Sequence, residues 1–205
     1  MRKIYISILL GIFVSLKAVA VQTPSAVKIK LYKMAVSASV LCTNPITVYT
    51  NDDPGLTDMA AGPTFGSVSL ADGTYPCVIM EMSDTVHFTP SAAEGGCTIP
   101  ATDPTIEICR ANNAEAFQLA DGTAGTCATG EQRIAIYLST TVPSGSNSNS
   151  FIPPTVEGGT TKGINLASAL IVAGAKTGTF VIDFTNKASC QSNTWELDAP
   201  VFSFR

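Results

Sequence analysis

The sequence has few of the residues on which most enzymes depend. It contains one histidine, His87, and one tryptophan, Trp195, and only 14% of its residues are charged. A serine or cysteine nucleophile normally needs an adjacent base, and a single imidazole leaves little material for such a pair. The G-x-S-x-G elbow, the P-loop and the H-E-x-x-H motif are all absent. The chain is therefore not expected to be an enzyme.

Long apolar runs are also missing, because none beyond residue 20 reaches the roughly 18 residues of a membrane-spanning helix. Residues 1–20 combine the basic start Met1-Arg2-Lys3, an apolar stretch from Ile4 to Leu16 and the small-x-small end Ala18-Val19-Ala20. This pattern is typical of a secretory signal peptide and predicts cleavage after Ala20; an anchoring helix is the alternative. A lipoprotein signal is not expected, because the first cysteine is Cys42.

Removing residues 1–20 makes the chain distinctly acidic. Three basic residues leave with that segment, so nine basic and sixteen acidic residues remain among 185, a net charge of −7. Such a surface repels phosphate backbones and anionic lipid. Nucleic acid and membrane surfaces are therefore not expected as partners, and an integral membrane protein is not expected either. A length of 185 residues suits a single domain.

The mature chain has six cysteines: Cys42, Cys77, Cys97, Cys109, Cys127 and Cys190. An even number in an exported chain predicts up to three disulfides, and fifteen complete pairings are possible. We favour Cys97–Cys109, because this bond would close a local loop through a stretch rich in proline and glycine. Zinc is not expected, since no two cysteines lie two to four residues apart.

Alternation of apolar and polar residues predicts an antiparallel β-sandwich in which each of two sheets buries one face. The predicted strands are residues 27–36, 47–50, 65–70, 77–88, 133–139, 164–172, 179–184 and 194–204. Within 77–88, one face carries Val78, Met80, Met82, Val86 and Phe88, and the other carries Glu81, Ser83, Thr85 and His87. The fold class is therefore expected to be all-β.

Three segments do not follow this alternation. Residues 89–130 contain three of the six cysteines and are predicted to form a cysteine-rich loop insertion. Residues 139–150 are polar and low in complexity, and are predicted to form an exposed flexible loop. Residues 111–119 are the best candidate for a helix, a short one because Asp121-Gly122 follows it.

Three sequence segments together resemble a known family: VKIKLYKMAVS at the start, GSVSLADGTYPCVIMEMSD in the middle, and GINLASALIVAGAKTGTFVIDFTNKAS with WELDAPVF at the end. The family is a domain of unknown function found in secreted bacterial lipoproteins and surface proteins, and it is similar to transthyretin-like sandwiches. The matching residues are Leu70, Gly73, Thr74 and Tyr75, then Gly174, Thr179, Val181, Asp183 and Phe184. The resemblance implies a transthyretin-like or Ig-like sandwich and no catalytic residues.

An acidic turn is the one candidate for a metal site. Asn51, Asp52, Asp53 and Asp58 supply hard oxygen ligands of the kind that Ca²⁺ prefers. The spacing departs from that of an EF-hand, and asparagine and aspartate are also common in turns because they bond their own backbone. A plain turn is the favoured interpretation, and no other cofactor is expected.

Two aromatic side chains are candidates for function. His87 shares a strand face with Glu81, so both are predicted to face solvent. Trp195 shares its parity with Leu197, Ala199 and Val201, which favours a core position over a platform for stacking sugars.

The preferred function is that of an exported binding or structural module, of the adhesion type, working through its loops in the periplasm, at the cell surface or outside the cell. Its expected partner is a protein or a glycan at the cell surface. A carbohydrate-binding protein is one alternative, and a hydrolase using paired carboxylates is another.

Overall fold

The computed structural model describes residues 21–63, 69–112, 115–143, 149–157, 160–174 and 179–205. The predicted signal peptide, residues 1–20, lies outside the described residues, as do residues 65–68 of the predicted strand 65–70 and residues 144–148 of the predicted loop 139–150. The described chain is all-β and contains no helix. Accordingly, these residues include no apolar helix of membrane-spanning length.

The strands are short, apart from one of twelve residues. In chain order they are Val21–Gln22 (β1), Ala26–Ser37 (β2), Ile46–Thr50 (β3), Leu56–Asp58 (β4), Gly73–Tyr75 (β5), Cys77–Ser83 (β6), Thr85–Thr89 (β7), Thr105–Glu107 (β8), Ala116–Gln118 (β9), Ala124–Thr126 (β10), Arg133–Ser139 (β11), Thr155–Glu157 (β12), Thr160–Lys162 (β13), Ile164–Asn165 (β14), Leu170–Val172 (β15), Phe180–Asp183 (β16), Ala188–Gln191 (β17), Thr194–Leu197 (β18) and Val201–Phe204 (β19).

The long strand β2 organises the main sheet. It pairs on one side with β4 and then β3, and on the other side with β7 and then β6. Only Asp84 separates β6 from β7 in the chain, so two consecutive strands run along the same side of β2. β8 pairs with β7 and β11 pairs with β6, while β14 lies parallel to β11.

The remaining strands form smaller pairs that share the same core. β16 pairs with β19, β17 pairs with β1 and β18, and β5 pairs with β15. β9 and β10 form a hairpin, as do β12 and β13. The sheets pack in a sandwich-like arrangement, which confirms the predicted fold class. The core takes buried side chains from both the main sheet and the smaller pairs, among them Val27, Leu31, Met80, Phe88, Ile136, Leu166, Phe184 and Phe202.

A β-bulge explains how β2 keeps one face apolar. The pairing of β2 with β6 passes from Leu31–Met82 directly to Lys33–Glu81, so Tyr32 is an extra residue in β2. A bulge of this kind shifts the alternation by one residue. The residues that β2 contributes to the main core are accordingly odd-numbered before the bulge and even-numbered after it: Val27, Ile29, Leu31, Met34 and Val36.

The reverse face of β6 is covered and not solvated. Leu119 and Ala120, from inside the predicted insertion, pack over a second cluster formed by Ala35, Cys42, Cys77, Ile79, Ala135 and Tyr137. Glu81 lies on this face and is 1% exposed, so the prediction that it faces solvent is wrong. Alternation reports the face on which a side chain lies and carries no information about what covers that face.

All six cysteines form disulfides, as predicted, but the favoured pairing is wrong. The bonds are Cys42–Cys77, Cys97–Cys190 and Cys109–Cys127, and Cys97–Cys109 does not form. Cys97 lies beside a two-residue turn, Gly95-Gly96, whose positive φ angles suit glycine. That turn contacts Cys190, so Cys97 bonds a residue 93 positions away. Proximity along the chain is a poor guide when a distant strand lies closer in space.

The segments that interrupt the alternation contain more strand than the sequence indicates. The predicted helix 111–119 is wrong for its described residues, because Ala116–Gln118 is β9. Pairing with β10 and burial of Phe117 against the core outweigh a weak helical preference. The predicted strand 164–172 is divided into β14 and β15, and 194–204 into β18 and β19.

Candidate functional site: a groove beside an open strand edge

A groove of about 500 Å³ lies between β16 and the turn that follows β4. Its volume is in the range of small-molecule and peptide pockets. Its described lining residues are Thr23, Met59, Ala60, Gly62, Pro63, Thr179, Phe180, Val181, Ile182, Asp183, Phe184, Thr185 and Arg205. Asp183 is the one acidic side chain in this described lining.

The groove has a firm apolar base because β16 alternates in the usual way. Phe180, Ile182 and Phe184 turn towards the core and pack against it. The ring of Phe180 lies 5.1 Å from that of Phe204 and 6.3 Å from that of Phe202, between ring centroids. Aromatic pairs at these separations add to the stabilisation from buried area. β16 is therefore held against β19 through its side chains as well as its backbone.

One edge of β16 pairs with β19, and no strand of the described residues pairs with the other edge. Thr179 and Arg205 exchange two backbone hydrogen bonds of 2.7 and 3.1 Å. This pair establishes the phase of the β16–β19 ladder, that is, which residues of β16 direct their backbone groups towards β19. In an antiparallel ladder the residues that bond the partner alternate with residues whose N–H and C=O point away. The backbone N–H and C=O groups of Phe180 and Ile182 therefore point away from β19.

The other side of β19 supports this phase. The Phe204 N–H donates to the Ser168 hydroxyl at 2.8 Å, and the Phe202 carbonyl accepts from Ala167 at 2.7 Å. Both groups point away from β16, as the same alternation requires. Within the described parts of the chain, no hydrogen bond reaches the backbone N–H or C=O of Phe180 or Ile182.

A tight turn forms the opposite wall. Met59 is 3% exposed, and its N–H donates to the Val27 carbonyl at 2.7 Å, which holds the turn against β2. Asp58 Oδ1 accepts from the N–H groups of Val27 and Ala60, both at 3.0 Å. Gly62 adopts a φ of 64° and donates to the Met59 carbonyl. These bonds give the groove a preformed wall.

Opposite charges lie among the polar residues of the groove. The Thr185 hydroxyl and N–H donate to Asp183 Oδ1, and these hydrogen bonds hold the pKa of that carboxyl below its usual value. Arg205 supplies a guanidinium at the end of the chain. The Asp183 side chain is exposed, so it meets water or a bound partner in its charged form.

In the acidic turn considered as a metal site, two side chains already accept hydrogen bonds from backbone N–H groups. Asn51 Oδ1 accepts from the Asp53 N–H at 3.2 Å, and Asp58 Oδ1 is engaged by Val27 and Ala60. Asp52 and Asp53 are exposed. The described residues contain no group of three or more His, Cys, Asp or Glu side chains arranged to hold a metal. Calcium at this turn, the alternative to the favoured plain turn, stays untested.

The other candidates lie away from the groove. His87 is half-buried on β7, opposite Lys28, while its neighbours Val86 and Phe88 are buried as the alternation indicates. Trp195 is half-buried against the core, and its Nε1 donates to the Thr98 carbonyl at 3.0 Å. Ala199 and Val201, predicted to share its face, are exposed because the strand ends at Leu197.

Sequence reasoning identified β16 as a strand but missed the groove. The alternation of residues 179–184 predicts which side chains are buried and says nothing about which edge is paired. The opposite wall comes from residues 59–63, more than a hundred positions earlier, in a segment for which no strand was predicted. No signal in the sequence joins these two segments.

Comparison of the chain with known protein families, with curated proteins and with solved structures finds no match.

Proposed function

We propose that this chain is an exported, non-catalytic binding module that captures an extended polypeptide segment along the open edge of β16. One observation carries the proposal: the backbone groups of Phe180 and Ile182 point away from β19, both residues line the groove, and these groups lack a partner among the described residues. Unpaired strand edges are templates for a further strand, and strand addition is a common mode of peptide recognition.

The chemistry of the groove favours a peptide as the occupant. Phe180 and Ile182 offer two N–H donors and two C=O acceptors at a spacing of two residues, which is the repeat of another β-strand. Ala60 and Pro63, beside the buried Met59, provide apolar surface opposite them. Backbone hydrogen bonds would supply affinity, and the apolar wall would select the side chains that face it.

Export is the second part of the proposal. Three disulfides fit an oxidising, extracytoplasmic environment. Residues 1–20 have the composition of a signal peptide. The module would act in the periplasm, at the cell surface or outside the cell, with an adhesion-type role as the preferred form.

The export proposal predicts the N-terminus of the mature protein. Mass spectrometry of the chain recovered from the periplasm or the medium should show Val21 as the first residue. Recovery of mature protein that still begins with Met1 would contradict cleavage after Ala20.

Binding along β16 can be tested with two proline substitutions and their alanine controls. The probe is a displayed library of ~10-residue peptides, which reach about 30 Å when extended. Ile182→Pro removes an N–H that points away from β19, and proline is tolerated on the unpaired side of an edge strand. Ile182→Ala loses the same side chain and keeps the N–H. We expect the best selected peptide to bind Ile182→Pro at least tenfold more weakly than Ile182→Ala.

Val181, next to Ile182, tests which residues of β16 bond β19. The Val181 N–H points to β19, so Val181→Pro removes a ladder hydrogen bond. Its free energy of unfolding in urea should be about 1–3 kcal/mol lower than that of Val181→Ala. Ile182→Pro should differ from Ile182→Ala by much less. Equal peptide binding by Ile182→Pro and Ile182→Ala, or no peptide selected by the wild-type protein, would contradict binding by strand addition.

A further inference from the structure

Two opposite charges lie at the two ends of β16, on the face that is turned away from the core. Val181 and Asp183 of β16, and Thr179 just before it, alternate with the core-facing residues and share this outer face. Arg205 exchanges two backbone hydrogen bonds with Thr179 and lies directly opposite it, so the Arg205 side chain lies on the same face. Asp183 therefore marks one end of the face and Arg205 marks the other.

Neither charge belongs to an ion pair within the described part of the chain. Both side chains are exposed. The Thr185 hydroxyl and N–H both donate to Oδ1 of Asp183, and no described hydrogen bond reaches its Oδ2. Lys187 adds to the positive field at Asp183, but it lies outside the described lining of the groove. Thr185 thus holds the Asp183 carboxylate in place while one oxygen is left to accept from an occupant.

The phase of the ladder determines which residues of an occupant face these charges. An antiparallel strand added along the edge away from β19 exchanges hydrogen bonds with Phe180 and Ile182. Its residues opposite Thr179, Val181 and Asp183 then take the non-hydrogen-bonded positions. Facing residues lie closest at these positions, with about 4.5 Å between their Cα atoms. A side chain of the occupant opposite Asp183 therefore lies beside its carboxylate.

We propose that the groove selects an extended segment that runs antiparallel to β16 and has the pattern basic-x-apolar-x-acidic. This inference rests on the proposed binding along the edge of β16. In the antiparallel direction the first residue of the pattern faces Asp183, the third faces Val181, and the fifth faces Thr179 beside Arg205. Opposite charges and apolar pairs that face each other across strands stabilise a sheet, whereas facing like charges destabilise it.

The acidic position of the pattern reaches Arg205 across one strand. The fifth residue of the occupant lies about 4.5 Å from Thr179, and Thr179 lies about 5.5 Å from Arg205, between Cα atoms. A glutamate and Arg205 have long side chains that can extend towards each other over the short side chain of Thr179. Glutamate is therefore favoured over aspartate at this position.

The order of the charges also reports the direction of the occupant. Antiparallel pairing is slightly more stable for each residue than parallel pairing. A parallel occupant needs the reverse order, acidic-x-apolar-x-basic, to place its charges against Asp183 and Arg205. The sequences that bind the groove therefore reveal which way the segment runs.

Selection from a displayed library of ~10-residue peptides tests the pattern. The wild type should enrich basic-x-apolar-x-acidic sequences. A double variant with Asp183→Lys and Arg205→Glu exchanges the two charges and should enrich acidic-x-apolar-x-basic sequences. Glu196→Gln is the matched control, because Glu196 is an exposed acid of β18 outside the described lining. This control should select the same pattern as the wild type.

Fluorescence anisotropy of one selected peptide and of its charge-exchanged form measures the size of the preference. We expect the exchanged peptide to bind the wild type roughly three- to tenfold more weakly, because two attractive contacts become repulsive. The order of the two affinities should reverse on the double variant, and the ratio should shrink in high salt. Asp183→Asn keeps an oxygen that accepts from Thr185 and should lower the ratio even if the double variant folds poorly.

The outcomes separate this inference from the function on which it rests. Peptides that bind the wild type and Ile182→Ala, lose binding with Ile182→Pro and show no order of charges would overturn the pattern and leave strand addition intact. An acidic-x-apolar-x-basic pattern on the wild type would overturn the antiparallel direction. Selection of no peptide by the wild type would overturn both the pattern and the proposed function.

Discussion

At the scale of single residues, Glu81 is a buried charge that the protein satisfies fully. Its Oε2 accepts from the Arg133 guanidinium, its Oε1 accepts from the Ala120 N–H at 3.0 Å, and Lys33 Nζ lies 3.3 Å away. The Arg133 guanidinium also lies 4.8 Å from the centre of the Tyr32 ring. Burial raises the pKa of nearby Tyr137, whose hydroxyl donates to the Gln118 carbonyl at 2.9 Å. The cluster attaches the 118–120 segment to the main sheet.

Loss of Glu81 should therefore be costly. Glu81→Ala leaves Lys33 and Arg133 without their shared carboxylate and the Ala120 N–H without an acceptor. We expect the free energy of unfolding in urea to fall by about 2–4 kcal/mol. Glu131→Ala is the matched control, because Glu131 is an exposed partner of Lys30 and its loss should have a small effect. Similar losses in both variants would contradict a specific role for the buried cluster.

At the scale of elements, the two-residue turn Gly95-Gly96 positions Cys97 for its disulfide with Cys190. Glu94 and Cys97 exchange hydrogen bonds of 3.0 and 2.7 Å across it, and the φ angles are 57° and 98°. A turn with positive φ at both central residues suits a tight hairpin, and glycine adopts it without strain. A Cβ at Gly96 would also require the Asn193 carboxamide to move aside. The turn thus holds Cys97 against the β17–β18 hairpin.

Gly96→Ala should consequently destabilise the protein by about 1–3 kcal/mol, because alanine is strained at the positive φ of this position. Gly55→Ala is the matched control: Gly55 has no positive φ, and a Cβ there meets nothing within 4 Å. That change should be neutral or stabilise by a few tenths of a kcal/mol, roughly as for other compatible glycines. Thermal unfolding of both variants checks the contrast, and equal shifts in Tm would count against it.

The elements also mark the limit of what the sequence predicts. Alternation correctly identified β6, β7 and β11, because each has one face against the main core. It failed at Glu81, which a covering loop buries, and the separate helix prediction failed at residues 111–119, where cross-strand pairing decides the outcome. The groove could not be predicted at all, because an open edge is a property of the neighbours of β16 and not of its own residues.

At the scale of the whole molecule, the disulfides join segments that are distant in the chain. The Cys97–Cys190 bond spans 93 residues, and the Cys109–Cys127 bond spans 18. A cross-link that closes a longer loop removes more conformational freedom from the unfolded chain. The first bond should therefore contribute more stability than the second, although both are buried.

Paired alanine substitutions test this order. We expect Cys97→Ala with Cys190→Ala to lower the free energy of unfolding by about 1 kcal/mol more than Cys109→Ala with Cys127→Ala. Denaturation in urea under non-reducing conditions measures the difference. The reverse order would show that packing around Cys109 and Cys127, and not loop length, governs the contribution of these bonds.

The disulfides also determine what happens to the protein after a protease cuts it. A single cut between Cys42 and Cys77, or between Cys97 and Cys190, leaves both fragments covalently joined. The exposed residues 51–53, 55 and 56 fall within the first of these intervals, and much of the long second half of the chain falls within the second. A nicked molecule would keep β2, β6 and β11 attached to one another and would come apart only on reduction. Such a protein tolerates damage in a protease-rich environment that would release fragments from an unlinked chain.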